Sequence, residues 1–400
     1  MGILKNIRLM GGTVSTHEIK LVTKWLVSLP WQMFTARSQV PIRNESAWEE
    51  EKSEILERAN WLCDKIIVEP KQLIAEMPQI LGPHFEAEWA IYSCAFLSFA
   101  LYNISRLYPE QKYLCVERLE KVIPVIMSSE VMSYDTNQWG EDAITTLDGD
   151  NSHMTYLSLL AWSISNYLLA GGASQEYEML FIRCCDTLHR RMLQSPDLNL
   201  PSFPGYTVFL PDMLVTLVAL SNYGKICDNR YAETIGYWVE KAQRQWIDKN
   251  TGLLTALYNQ YAKHIRQYVR GSYAALSTSY LTLVDEDFAR EQYDKVFRTL
   301  RREGLLSGIV EYLDKSSKFD FDPDADPIVN GLSPSGTTFI LGAASYFGDW
   351  EFRSKLLRTA NLAGVTVRKK KMHTHHYRLG EIAIVGEAVA LGMRTNAQWT

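Results

Sequence analysis

The sequence predicts an all-α protein of the (α/α)6 toroid class, in which six inner helices form a ring and six outer helices cover it. Three observations lead to this prediction. Strongly apolar helical segments alternate with amphipathic ones, as residues 154–169 and 174–193 illustrate. The apolar segments begin at intervals of roughly sixty residues, which is typical of an internal array. Strand signals are few along the chain.

Six apolar segments are expected to form the inner helices, and each begins near a polar residue or a glycine. These starting residues are Glu88, His153, Asp212, Ser272, Thr337 and Gly380. The last inner helix has no covering helix after it, whereas helix 48–67 precedes the first without an inner partner, so these two complete the sixth hairpin. We therefore expect residues 1–45 to form an N-terminal arm, with Pro30 and Pro41 breaking any long helix, and residues 46–400 to form one domain.

Polar loops precede the inner helices, and a long one spans residues 129–152. Because all inner helices of a toroid point the same way, these loops should share one face of the ring. Loops of this length inside a compact domain are often functional. That loop face is where the sequence predicts a site.

Composition restricts the class of protein. Apolar residues make up 46% of the chain, which is ample for a large core, and the formal net charge of -5 argues against a dedicated nucleic-acid binder. The first residues lack the apolar core of a signal peptide, and no uncharged apolar run is long enough to span a membrane. The six cysteines form no CxxC pair, so we expect buried, reduced thiols and a cytoplasmic location.

Five short motifs resemble those of the linalool dehydratase-isomerase family, and the similarity extends over roughly residues 85 to 395. The motifs lie at residues 150–153, 206–212, 270–272, 324–331 and 380–381. The resemblance implies an (α/α)6 barrel with a pocket at the loop face, completed in the linalool enzyme by a neighbouring subunit, and hence a homo-oligomer. It also implies that His153 belongs to the site. The chain lacks that enzyme's cysteine pair, since Phe203 and Asp212 occupy those places.

His153, Asp212 and Asp324 are the candidate catalytic residues, because each lies in or next to a polar loop that leads into an inner helix. A histidine titrates near neutral pH, and an aspartate in the place of a cysteine is still a group that can transfer a proton. A hydrogen-bonded capping histidine and a helix-terminal aspartate stabilised by the helix dipole are the structural alternatives.

Five further residues are candidates for substrate binding. Glu88 begins a buried helix, where an unpaired charge is unfavourable, so we expect it either to line the pocket or to pair with an arginine. Trp139, Phe203 and Tyr206 are aromatic residues in loops rather than in helical stripes, which suits the walls of a pocket. Asn330 belongs to the fourth motif.

No metal or other cofactor is expected. Four aspartates alternate between residues 320 and 326, but the loop lacks the glycine and glutamate of an EF-hand. His373, His375 and His376 lie in a lysine-rich run without a nearby cysteine or acidic ligand, which favours a solvated loop over a zinc site.

The sequence leaves three functions open, and a small molecule is the expected substrate. The resemblance implies a lyase or isomerase of the dehydratase type that uses acid–base chemistry on a small, alcohol-bearing and terpenoid-like compound. Six-hairpin toroids also include carbohydrate-active enzymes, glycoside hydrolases or epimerases, which paired carboxylates such as Glu88, Asp212 and Asp324 would suit. A non-catalytic binding or assembly protein is the third.

Overall fold

The structure is a computed structural model that describes residues 15–35, 45–205, 207–259, 269–314, 319–322, 326–369 and 373–398. Within those ranges it contains fifteen α-helices, in chain order α1 (Thr16–Thr35), α2 (Glu45–Ile66), α3 (Pro70–Ala75), α4 (Pro83–Leu107), α5 (Lys112–Ile126), α6 (Ser129–Trp139), α7 (Met154–Leu169), α8 (Gln175–Gln194), α9 (Leu210–Ile226), α10 (Ala232–Gln245), α11 (Gly271–Leu281), α12 (Glu286–Thr299), α13 (Pro334–Tyr346), α14 (Trp350–Gly364) and α15 (Ile384–Thr395).

The inner ring consists of α4, α7, α9, α11, α13 and α15. Each of these helices packs against the next, and α15 packs back against α4, so the ring is closed. Their side chains are buried on almost every face, as expected of helices that are apolar all round. The predicted (α/α)6 toroid is thereby confirmed.

The outer layer consists of α2, α5, α8, α10, α12 and α14, each packed on an inner helix. These helices are amphipathic, and three of them begin with a side chain that caps the first turn. Ser174, Asp285 and Asp349 accept hydrogen bonds from backbone amides three residues later. Caps of this kind fix where each outer helix starts and therefore where the loop before it ends.

Two helices lie where the sequence predicted none. Helix α1 continues through Pro30, contrary to the expectation of a broken arm, because side chains tie it to α14: Trp25 Nε1 donates to the carbonyl oxygen of Ala363 at 2.7 Å, and Gln32 Nε2 donates to that of Asn361 at 3.0 Å. Helix α6 forms within the stretch read as a loop, since Ser128 caps it. The division into an arm and one domain stays a prediction.

Short strands connect the helices on one side of the ring. In chain order they are β1 (Thr207–Phe209), β2 (Leu257–Asn259), β3 (Arg301–Arg302), β4 (Gly308–Val310), β5 (Phe319–Asp322), β6 (Asp326–Val329), β7 (Leu332–Ser333), β8 (Thr366–Lys369) and β9 (Thr374–Tyr377). They form antiparallel sheets with the orders β1-β2, β3-β4-β7-β6-β5 and β8-β9. Strands of two to four residues are too short to show a period-2 pattern, which is why the sequence predicted so few.

Buried charges join the first outer helix, α2, to the last inner helix, α15. Arg394 of α15 bonds Glu51 at 2.5 Å and Glu54 at 2.7 Å, and Arg58 of α2 pairs with Glu387. The side chains are at most 11% exposed, so a hydrogen-bonded network holds these charges away from water.

The histidines of the lysine-rich run contradict the prediction of a solvated loop. His375 and His376 are 6% and 2% exposed in β9, where His375 lies 3.8 Å from Glu54. The ring of His376 stacks on Trp61 with centroids 4.4 Å apart, and only His373 is exposed. Consecutive strand residues point to opposite faces, so both histidines are buried because α2 covers them, His375 with Glu54 and His376 with Trp61.

Five cysteines are buried as predicted, and all six are free thiols. Cys227 is exposed, because it follows the last residue of α9 at the end of the helix.

Among the described residues, none of the helices is both long and apolar enough to cross a bilayer.

Candidate active site

Asp212 is the polar centre of the loop face. It lies in the first turn of α9, directly after Pro211, where the helix dipole favours a negative charge. Ser202 Oγ donates to its Oδ2 at 2.7 Å and Tyr92 Oη donates to its Oδ1 at 3.1 Å, while Thr155 Oγ1 lies 3.4 Å from Oδ2. These donors belong to α4, to α7 and to the loop before β1, so separate parts of the chain converge on one carboxylate.

Glu88 is the second carboxylate of this region. It lies in α4 one turn before Tyr92, and its Oε2 is 3.5 Å from His84 Nε2. Burial lowers the pKa of His84. Burial, and then the charges of Asp212 and Glu88, raise the pKa of Tyr92. Because Tyr92 follows Glu88 by one turn and donates to Asp212, both carboxylates lie near this tyrosine. A pair of carboxylates from different inner helices can act as acid and base if a ligand lies between them.

Aromatic rings border the two carboxylates. The ring of Phe203 lies 5.6 Å from that of His84 and 6.3 Å from that of Phe209, and Phe209 in turn lies 6.3 Å from Tyr273. The predicted wall residue Phe203 is therefore beside Glu88 and its neighbours. Rings next to carboxylates provide an apolar face and polar groups within one site.

His153 lies in a separate, buried cluster. Its Nδ1 is 2.6 Å from Asp135 Oδ2 and its Nε2 is 3.1 Å from Glu141 Oε1, and the side chain has no exposed surface. Trp139 packs on the imidazole with ring centroids 5.3 Å apart. The backbone of His153 has a φ of 44°, a left-handed conformation that is uncommon for residues other than glycine. An indirect connection leads from His153 to Asp212 through the start of α7, where Thr155 contacts Asp212.

The loop that carries His153 is held by one arginine. Arg191 of α8 is 2% exposed and donates to backbone carbonyl groups. Its acceptors are Thr146, Leu147, Gly149 and Ser152. Burial lowers the pKa of this guanidinium to about 10, which still leaves it charged at neutral pH. The arginine thereby fixes the loop against the outer layer.

The remaining predicted site residues are Asp324, Tyr206 and Asn330. Asp324 and Tyr206 lie outside the described residues. Asn330 is in an exposed turn between β6 and β7 with a φ of 52°, and its carbonyl oxygen accepts a hydrogen bond from Arg302. Across the described ranges, no group of acidic, histidine or cysteine side chains has the arrangement of a metal site.

Sequence reasoning missed several polar residues of the loop face. Glu311, just after β4, has no exposed surface and accepts from Ser272 N at 3.0 Å, from Ser272 Oγ at 2.8 Å and from Arg270 Nε at 2.8 Å. It thus caps α11 from a distant part of the chain. Asp135 and Glu141, which hold His153, were also missed. For Glu311, the only indication in the sequence was the motif around Arg270 and Ser272, which does not show that a glutamate binds it.

Comparison with known proteins shows a likeness of fold. No family model and no curated protein matches the chain. A glycoside hydrolase of family 105 from C. acetobutylicum ATCC 824 is similar with a TM-score of 0.48 and 12% identity over 75% of this chain and 93% of the other. The unsaturated glucuronyl hydrolase from Bacillus sp. GL1 has a TM-score of 0.47 and 11% identity over 76% and 85%. No family model or curated protein supports the linalool resemblance.

Proposed function

We propose that the chain is an enzyme that performs acid–base chemistry on a hydroxyl-rich small molecule, a carbohydrate, with Asp212 and Glu88 as its two carboxylates. The observation that carries this proposal is the convergence of Tyr92, Thr155 and Ser202 on Asp212. A carboxylate surrounded by hydroxyl groups is suited to a ligand that is itself rich in hydroxyl groups, because both exchange the same kind of hydrogen bond.

The assignment of roles follows from the surroundings of each carboxylate. Asp212 is contacted by hydroxyl groups that can all donate, which suits an ionised base or nucleophile. Glu88 is 17% exposed and lies beside His84, so it is placed to deliver a proton to a leaving oxygen. Phe203 would stack against the apolar face of a sugar ring. The described thiols are buried in the core or, for Cys227, at the other end of α9, which disfavours thiol chemistry at this site.

The test is a screen of aryl α- and β-glycosides, unsaturated uronyl disaccharides and unsaturated alcohols, followed by variants. Asp212→Asn and Glu88→Gln keep shape and hydrogen bonding but remove the titrating proton, and each should lower kcat by about 10²- to 10⁴-fold. Losses should not add in the double variant, since the groups act as a unit. Asp150→Asn, a change at a carboxylate that is 94% exposed on the same face, is the matched control and should leave kcat unchanged.

Two outcomes contradict the proposal. Glycoside turnover that survives in both Asp212→Asn and Glu88→Gln would remove these carboxylates from the chemistry. Turnover of unsaturated alcohols without any turnover of glycosides would replace the carbohydrate reaction by the lyase or isomerase reaction that the family resemblance implies.

A further inference from the structure

Two buried tyrosine hydroxyl groups beside the site have no hydrogen-bond partner among the described residues. They belong to Tyr134 of α6, which is 1% exposed, and to Tyr280 of α11, which is 2% exposed. Most buried polar atoms in folded proteins are paired, because an unpaired one loses its bonds to water without replacement. These two hydroxyl groups therefore call for a partner that the described part of the chain does not supply.

Contacts along α4 bring both tyrosines to the surroundings of Asp212. Tyr92 donates to Asp212 and lies in α4 between His84, whose ring is 6.0 Å from that of Tyr134, and Phe96, whose ring is 6.3 Å from that of Tyr280. Burial, and then the charges of nearby carboxylates, raise the pKa of all three phenols well above the ordinary range. Burial thus favours the neutral form of each phenol, which can donate its proton in a hydrogen bond.

Packing against other aromatic rings holds both tyrosine rings in place. Tyr280 lies in the core, with its ring centroid 5.6 Å from that of Trp162 and 6.3 Å from that of Phe96. Tyr134 lies at the aromatic border, where its ring is 6.0 Å from that of His84. Rings held in this way cannot turn to find other partners, so the two donors are preorganised.

We infer that Asp212, Tyr134 and Tyr280 form a subsite for one hydroxyl group of the ligand; this rests on the proposed function and specifies the group that is recognised. A hydroxyl group has one proton to donate and two lone pairs that accept. It would donate to Asp212 and accept from the two phenols. An ether oxygen has no proton for Asp212, and a ligand carboxylate would be repelled by it, so the subsite selects a neutral hydroxyl group.

The first measurement needs no ligand. Tyr134→Phe and Tyr280→Phe remove hydroxyl groups that form no bond in the free protein, so the melting temperature should stay equal or rise. Tyr92→Phe is the matched control, because it removes a hydroxyl group that donates to Asp212, and it should lower the melting temperature by about 1 to 2 °C. If Tyr134→Phe and Tyr280→Phe each lower it as much as Tyr92→Phe, both hydroxyl groups are already paired and the inference is overturned.

The second measurement uses glucose, mannose, galactose and xylose as probes in thermal unfolding, with glucuronate as the charged comparison. Sugars also stabilise proteins in general because they are excluded from the protein surface, but this effect is the same for wild type and variants. A rise in melting temperature that occurs in wild type and is absent from Tyr134→Phe and Tyr280→Phe therefore indicates binding at the subsite. For the sugar with the largest effect, one deoxy analogue should bind wild type about tenfold more weakly and bind Tyr280→Phe as well as the parent sugar does.

The two proposals fail in different ways. If the deoxy analogue binds more weakly than the parent sugar by the same factor in wild type and in Tyr280→Phe, the subsite is overturned. The proposed reaction is then still tested by the activity of Asp212→Asn and Glu88→Gln. If none of the sugars raises the melting temperature of wild type, that counts against a carbohydrate ligand and therefore against both.

Discussion

His153 and Asp212 both begin inner helices, yet their surroundings differ. Asp212 faces hydroxyl groups from other elements, whereas His153 is enclosed between Asp135 and Glu141. In the sequence both positions are polar residues at helix starts, and the pattern does not show which of the two side chains faces the ring axis. The position of His153 depends on Asp135 in α6, a helix that was not predicted because its sequence is polar.

At the residue scale, His153→Ala should lower the free energy of unfolding by about 2 to 4 kcal/mol. The change leaves the buried carboxylate of Asp135 without its partner and puts alanine into a left-handed conformation. Denaturant unfolding measures the loss, and Asp150→Asn should change stability by no more than about 0.5 kcal/mol. Loss of turnover in His153→Ala with unchanged stability would instead identify His153 as a catalytic residue.

A second residue-scale prediction concerns pH. Burial, and then the charge of Arg58, lowers the pKa of His375 from 6.5 to about 3, although Glu54 opposes this shift. The folded state therefore takes up no proton here between pH 6.5 and 5, whereas the unfolded chain does. Stability should be complete above pH 6.5 and should fall by about 1.4 kcal/mol per pH unit below it.

The measurement is the free energy of unfolding of wild type and His375→Gln between pH 7 and 5. Below that window the carboxylates begin to titrate in the unfolded chain, whose ordinary glutamate pKa is 4.5. Burial also lowers the pKa of His84 and His189, so part of the slope should remain in the variant. The prediction is wrong if the slopes of wild type and His375→Gln are identical.

At the scale of elements, the starts of α11 and α13 approach so closely that side chains have no room. A Cβ atom on Gly271 would lie 1.9 Å from the carbonyl oxygen of Val310, and one on Gly336 would lie 3.1 Å from Ser272 N. These glycines let two inner helices and strand β4 meet at the loop face. In the sequence they read as ordinary glycines near helix starts, since a close approach between distant segments leaves no local pattern.

Gly271→Ala should therefore destabilise the protein by about 3 kcal/mol or more, since backbone must shift to admit the methyl group. Gly236→Ala in α10 is the matched control: no atom lies within 4 Å of its added Cβ, so alanine should raise stability by up to about 1 kcal/mol. Thermal unfolding of both variants checks the pair. Equal effects in the two variants would show that the contact with Val310 is not as tight as described.

For the whole molecule, the sequence predicts the toroid well because each inner helix carries its own apolar pattern and its own polar start. The sequence is a poor guide to contacts between segments that are far apart along the chain. The charges that close the ring are one example, since Glu51, Glu54 and Arg58 read as the solvated face of an outer helix. Only the packing of α2 on α15 buries them. The homo-oligomer implied by the resemblance stays a prediction.

Arg394→Met should lower the free energy of unfolding by about 3 to 5 kcal/mol, because it leaves two buried carboxylates, Glu51 and Glu54, without this partner. Lys355→Met removes a partner of surface glutamates instead, at a position 35% exposed, and should change stability by less than about 1 kcal/mol. Urea unfolding compares the two. A loss in Arg394→Met no larger than in Lys355→Met would mean that the ring closure does not depend on these charges.

The closure of the ring also has a consequence for synthesis of the chain. Arg58 and its partner Glu387 are 329 residues apart, so a ribosome working at about 5 to 20 residues per second needs roughly 16 to 66 s between them. During that time the charged face of α2 lacks its partners on α15, Glu387 and Arg394. Because this face of α2 is charged, it stays hydrated until the last helix has been synthesised. Hydration disfavours aggregation of the nascent chain before the toroid can close.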